Sequence, residues 1–264
     1  MTLHRKLLIL SSASSHLYRG RHLRLAMLVV LLSAAVATAQ APLAEELQAV
    51  ATSYHHDPRR LDTIRHGLEQ TIKTDSRVAN LVALARVSFI WGDIRATTND
   101  QKLAAYDRGR QVAERIIELE PQHVEARFWY ALNTARWGQT KGVVRSLFLL
   151  PAVQEEIRII LKLDPTFTPV YALAGHVLYE VPGLLGGDLK KAEEMFRKGL
   201  EQDPQFTAMR VGLGKTLLKL GRIGEARQEL QAVLDEKAPS NPADWQLRDR
   251  REARELLQSA QGES

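Results

Sequence analysis

The chain has 264 residues, with 36 Lys or Arg against 31 Asp or Glu, a net charge of +5 and no Cys. Lack of Cys excludes disulfides, zinc-thiolate sites, thiol catalysis and a lipid-modified N-terminal Cys. Residues 1–39 hold five of the basic residues and no acid, so the remainder balances at 31 against 31, and its net charge gives no reason to expect nucleic acid or an anionic membrane as partner.

Residues 1–39 read as a signal peptide. Arg5, Lys6, Arg19, Arg21 and Arg24 make a basic stretch, Leu25 to Val36 is almost wholly apolar, and Ala37-Thr38-Ala39 is a small-x-small cleavage pattern. The apolar run of 12 residues is shorter than the roughly 20 needed to span a bilayer. Cleavage is predicted after Ala39, giving a periplasmic or secreted protein that starts at Gln40 and has no membrane span.

Residues 40–79 form a first segment of predicted helices without a fixed repeat register, covering 43–54 and 59–73, with a further helix at 76–91 that enters the next segment. Residues 80–238 read as tetratricopeptide-like helical hairpins, an all-α solenoid. Their looser early units end at Ala113, Ile116 and Glu120-Pro121, then run from Phe128, Ala131 and Leu132 to Val153, Ile157, Ile160 and Asp164-Pro165. The clearer ones follow. Tyr171, Ala174, Gly175 and Leu178 precede Ala192, Phe196 and Gly199, and Leu213, Gly214 and Leu217 precede Ala226, Leu230 and Val233; Arg210 stands where a large residue is expected. Ala192 and Ala226 are 34 residues apart, and the closing prolines 121, 165, 204 and 239 are separated by 44, 39 and 35. Gly and Ala let paired helices approach, bulky positions fill the gap to the next hairpin, and a proline just beyond a helix stops it. Residues 239–264 are a capping helix and tail, with Trp245, Leu247, Leu256 and Leu257 turned toward the array.

Two features exceed generic repeat patterning. One is the loop Val181-Pro182-Gly183-Leu184-Leu185-Gly186-Gly187-Asp188, which lengthens the Leu178 to Ala192 spacing to 14, against nine from Leu217 to Ala226. The other is Phe128-Trp129-Tyr130-Ala131-Leu132-Asn133, opening a helix after Glu120-Pro121 and followed by Lys141-Gly142. Together with Leu163-Asp164-Pro165, these resemble the T-component family of tripartite ATP-independent periplasmic (TRAP) transporters over roughly residues 80–260. The resemblance implies a periplasmic repeat protein that associates with an extracytoplasmic solute-binding protein. A looser likeness, in the Pro-Gly and Gly-Gly-Asp layout, is to the regulator-of-microtubule-dynamics proteins.

Catalytic and cofactor motifs do not survive inspection. Gly212-Leu213-Gly214-Lys215-Thr216 resembles the end of a phosphate loop, but Met209 occupies the position that needs Gly and no strand precedes it. No His stands at metal-ligand spacing, and neighbouring acids such as Glu193-Glu194 do not face each other across a cleft. No enzyme activity and no cofactor is expected. The repeat register instead nominates a concave partner-binding face: Trp129, Asn133 and Arg136 counted from Phe128, His176 and Tyr179 counted from Tyr171, and Lys215 counted from Arg210. In the loop, Asp188 reads as a helix cap, while Leu184 and Leu185 are either turn residues or a partner contact. Two other functions remain open: binding of a small apolar or amphipathic ligand in a cavity roofed by residues 181–188 and floored by Trp129, Tyr130 and Trp137, and generic scaffolding of envelope assembly.

Overall fold

The computed structural model describes residues 42–260, so the leader, its cleavage near Ala39 and the last tail residues lie outside the described part. The described residues hold helices and no strand. The helices are α1 (Pro42–Val50), α2 (Arg60–Thr71), α3 (Val78–Ile94), α4 (Asn99–Leu119), α5 (Val124–Lys141), α6 (Val143–Leu163), α7 (Pro169–Glu180), α8 (Leu189–Gln202), α9 (Thr207–Lys219) and α10 (Ile223–Asp235). A last helix begins with one turn at Pro242–Asp244, widens into a π-helical turn at Trp245–Asp249 and continues as α11 (Arg250–Ser259). Helices α3/α4, α5/α6, α7/α8 and α9/α10 pair as hairpins, as the repeat spacing predicts.

Local chemistry sets the boundaries. Thr98 and Gln101 form a capping box at the start of α4, and His123 Nδ1 accepts from the Ala126 N–H at 3.2 Å to open α5. Gly142, at φ +109°, is the single residue between α5 and α6, a conformation open to glycine at little steric cost. Small residues bring paired helices together as expected. An added Cβ on Gly175 would lie 2.6 Å from the Phe196 ring, and one on Gly214 would lie 2.7 Å from Leu230.

The repeat register rests on a recurring hydrogen bond. Arg127 Nε donates to the Pro121 carbonyl (2.7 Å), Tyr171 Oη to that of Pro165 (2.8 Å) and Arg210 Nη2 to that of Pro204 (3.0 Å). Pro121, Pro165 and Pro204 thus each have their carbonyl satisfied by the side chain six positions on. Arg210 performs the role of Tyr171, so its departure from the repeat pattern is a substitution of one long donor for another. Arg127, not Phe128, occupies this position in the α5 hairpin, and the register counted from Phe128 is corrected by one residue.

The array also closes on itself. Ala243 is buried in the cluster built by Leu47, Leu61, Ile64, Leu68, Leu81 and Leu84. Its N–H donates to the Thr52 carbonyl at 3.0 Å, and the Tyr54 hydroxyl donates to Asp244. The last helix thus does two things. Trp245, Leu256 and Leu257 cover Leu230 and Val233 of α10 as expected of a cap, whereas Leu247, expected to face the array too, is exposed; the first turn of the last helix packs on the cluster that α1, α2 and α3 share. No described helix is long and apolar enough to cross a membrane.

Candidate binding cavity

Closure turns the concave face into a cavity of about 850 Å³, lined by α3, α5, α6, α7, α9 and the last helix. Its wall is an aromatic ladder. Phe89 lies 5.9 Å from Trp129, Trp129 lies 5.0 Å from Phe128, and Phe128 lies 5.3 Å from Phe167, centroid to centroid. Such tilted and edge-on contacts suit the ring quadrupoles. Val143, Leu147 and Leu150 of α6, with Val181 and Pro182 just after α7, add further apolar lining.

The floor carries charges that are satisfied within the chain. Arg136 Nη2 meets Asp93 Oδ2 at 2.6 Å, and the Tyr106 hydroxyl donates to the other Asp93 oxygen at 2.5 Å. Lys215 Nζ meets Glu252 at 2.9 Å. Arg248 bridges Asp244 (3.4 Å) and Asp249 (3.2 Å), and the Thr207 hydroxyl donates to Asp249 at 2.7 Å. Burial raises the Asp249 carboxyl above its ordinary range, against the pull of Arg248. Burial also pushes the His176 imidazole down to about 4, helped by the charges of Lys215 and Arg248, so at neutral pH it is an uncharged ring set edge-on to Phe196 at 5.2 Å.

The residues nominated from the sequence divide. Trp129, Arg136, His176 and Lys215 line the cavity. Asn133 does not belong to the face. It is fully buried, donates to the carbonyls of Ala85 (3.3 Å) and Trp129 (2.8 Å), and fills the space beside Gly109. The corrected register explains this: counted from Arg127, the inward positions become Phe128, Leu132 and Ala135, all of which line the cavity. Tyr179 lies outside the lining and sits beneath Lys215 and Lys219, whose ammonium groups are 5.4 and 3.7 Å from its ring centre. Of the proposed aromatic floor only Trp129 lines the cavity. Tyr130 packs on the N-terminal cluster, and Trp137 lies under Arg110, Lys141 and Arg145.

In the loop, Asp188 is a cap, its Oδ1 accepting from the N–H groups of Lys190 (3.0 Å) and Lys191 (3.1 Å). Gly186 is left-handed at φ +101°, and a Cβ on Gly187 would lie 1.7 Å from the Val181 carbonyl oxygen, so both glycines are required by the turn. Pro182 lines the cavity, the adjacent Gly183 is exposed, and Leu184 is 102% exposed. Sequence reasoning missed the contribution of the last helix, whose signal was a charged stripe at every fourth residue, Asp244, Arg248 and Glu252. Among the described residues no group of three or more His, Asp or Glu could hold a metal.

Among solved structures, the chain is similar to TTC0263, a tetratricopeptide-repeat protein of Thermus thermophilus, at 18% identity and TM-score 0.59, covering 81% of this chain and 97% of that one. It is more distantly similar to MamA (17% identity, TM-score 0.46, 68% and 92% covered). A repeat protein of Parabacteroides merdae ATCC 43184 is comparably distant (12% identity, TM-score 0.40, 84% and 93% covered). No curated protein matches. A tetratricopeptide-repeat family model matches residues 184–250. A second, described as regulator of microtubule dynamics protein 1-3, matches residues 46–185, just over half of the chain. It is the family of the looser sequence likeness, and the chain belongs to it.

Proposed function

We propose that the chain is a scaffold that binds a protein partner by taking an apolar segment of that partner into the cavity lined by α3, α5, α6, α7, α9 and the last helix. The observation that carries this reading is the division of the cavity: an aromatic wall and further apolar lining are available, while Asp93, Arg136, Lys215, Arg248, Asp249 and Glu252 are paired with one another or with neighbours. A ligand that had to bring a charge to the floor would break those pairs, whereas an apolar segment gains burial without disturbing them. A photocrosslinking residue at Leu147 or Leu132 is expected to capture an apolar stretch of the partner, and one at Leu119, exposed on another surface, is expected to capture none. Adducts confined to Leu119 would remove the cavity from the interaction.

Closure by the last helix favours a second reading, an amphipathic small molecule held in the cavity, because about 850 Å³ lies within the roughly 300–1,000 Å³ typical of small-ligand sites. Native mass spectrometry of purified protein separates the two, since a bound small molecule adds a defined mass without any partner chain. In its finer form the proposal has residues 1–39 as an export leader and the partner as the extracytoplasmic solute-binding protein of a TRAP-type uptake system. The leader pattern and the family resemblance support that form. N-terminal sequencing should give Gln40, and tagged protein should capture a solute-binding protein from an envelope extract. Capture of tubulin instead would tie the cavity to the activity named by the matched family.

A further inference from the structure

The even charge balance of residues 40–264 conceals a local imbalance beside the cavity. From Ala126 to Gln154 the sequence contains no Asp or Glu, and within this stretch α6 exposes Val143 at 76%, Val144 at 85% and Phe148 at 73%. Exposed apolar side chains grouped in this way mark an interaction surface. Pro151 lies inside α6 and has no N–H to donate to the Leu147 carbonyl. The neighbouring loop carries Leu184, wholly exposed, and Leu185 at 49%.

Both segments reach the same cavity. Val143, Leu147, Val181 and Pro182 all line it, and a Cβ on Gly186 would lie 3.8 Å from Gln154 Nε2 of α6. Cations flank the tips. Lys141 and Arg145 lie 5.6 and 5.7 Å from the Trp137 ring centre, and Arg145 is also 5.6 Å from that of Phe148. Lys190 and Lys191 follow the loop, with the one acid there, Asp188, 3.6 Å from Lys191. Aliphatic and Phe tips ringed by Lys, Arg and a half-buried Trp form the side-chain pattern that settles into the headgroup region of a bilayer. Apolar groups enter the acyl boundary, cations stay with anionic headgroups, and the indole sits between.

We propose that the rim formed by Val143, Val144, Phe148, Leu184 and Leu185 docks on an anionic lipid bilayer, with Lys141 and Arg145 contacting the headgroups. This goes beyond the binding reading and does not depend on what the cavity holds, because Val144, Phe148, Leu184 and Leu185 are not part of its lining.

The chain has no native Cys, so single substitutions can carry an environment-sensitive fluorophore. The full chain would be labelled at Phe148→Cys, Leu184→Cys or, as a control, Leu119→Cys, an apolar residue 65% exposed elsewhere. Vesicles of phosphatidylcholine, with and without phosphatidylserine, are then added. Probes at 148 and 184 are expected to shift to shorter wavelength and to be quenched by brominated acyl chains when phosphatidylserine is present, while the probe at 119 stays unchanged. Lys141→Gln and Arg145→Gln should each move the vesicle titration about fivefold to higher lipid. These positions are exposed, so circular dichroism should be unaltered. Probes at 148 and 184 that remain water-exposed on phosphatidylserine vesicles overturn the proposal, even if another segment carries the protein to the membrane. A shift that grows with protein concentration in the absence of lipid also overturns it, and assigns the rim to self-association.

Discussion

Gly214→Ala tests the repeat packing at one atom's resolution. The added Cβ would lie 2.7 Å from both Cγ and Cδ2 of Leu230 and 3.4 Å from its Cδ1. Leu230 is itself fully buried, so it cannot swing into solvent to make room. Overpacking of this type costs about 1–3 kcal/mol, and exchanging Gly for Ala in a helix returns about 0.5–1 kcal/mol. The net expected loss is therefore up to about 2.5 kcal/mol, which for a protein of this size lowers Tm by up to about 10 °C. Gly224→Ala, at the start of α10, supplies the control, because a Cβ there meets nothing within 4 Å. Only the backbone effect remains, so that substitution should stabilise by about 0.4–1 kcal/mol and raise Tm by about 1–4 °C. Calorimetry on both variants at one pH measures the pair. If both shift Tm in the same direction, the close approach of α9 and α10 at Gly214 is refuted.

Tyr54→Phe removes the donor to Asp244 that joins the last helix to the turn between α1 and α2 and should cost about 1.5–3 kcal/mol, with faster hydrogen exchange concentrated at residues 50–54 and 241–249. His176 is held below its ordinary value of 6.5, near 4, so the unfolded chain takes up a proton that the folded chain refuses. Its contribution is complete above the unfolded value and is lost as pH falls from 6.5 toward 4. The loss is at most roughly 3 kcal/mol, reduced by the ring's partial exposure. His176→Gln should flatten the urea-denaturation free energy across that window relative to the parent. Asp188→Ala removes the two cap hydrogen bonds of α8 and should cost about 0.5–2 kcal/mol, whereas Asp188→Asn should restore most of it; equal loss in both would show that the capping geometry is not what matters.

The hairpins were legible because their signals are local. A small residue where two helices touch, a proline where one stops and an Asp at a helix start act within a few residues of themselves, and Gly175, Ala192, Pro204, Asp188 and Ala226 can each be read without knowing the rest. The one-residue slip at Phe128 has an equally local cause. The pattern was aligned on bulk, but the position is defined by reach to the Pro121 carbonyl, which Arg127 has and which Tyr171 and Arg210 share. Asn133 was misplaced as a consequence, since one step along a helix turns a side chain by about 100° and exchanges an inward face for a packed one. Ring closure was not legible. It depends on the summed curvature of hairpins with unequal connections, and the contact between Thr52 and Ala243 is a property of that sum.

The joining of the two ends changes how the array loses its structure. In a linear repeat protein each hairpin leans only on its neighbours, so terminal repeats fray and stability builds up nearly additively along the chain. Here the first and last elements share one apolar cluster through Ala243, and fraying at either end exposes a core that both depend on. Melting should consequently approach a single transition despite the modular sequence. The same bond of ends imposes an order in time. Whatever emerges first from a ribosome or an export channel keeps the hairpin around Leu47 and Leu61 unsealed until residues near 243 arrive, so the N-terminal third passes through assembly with an apolar face still waiting for its cover.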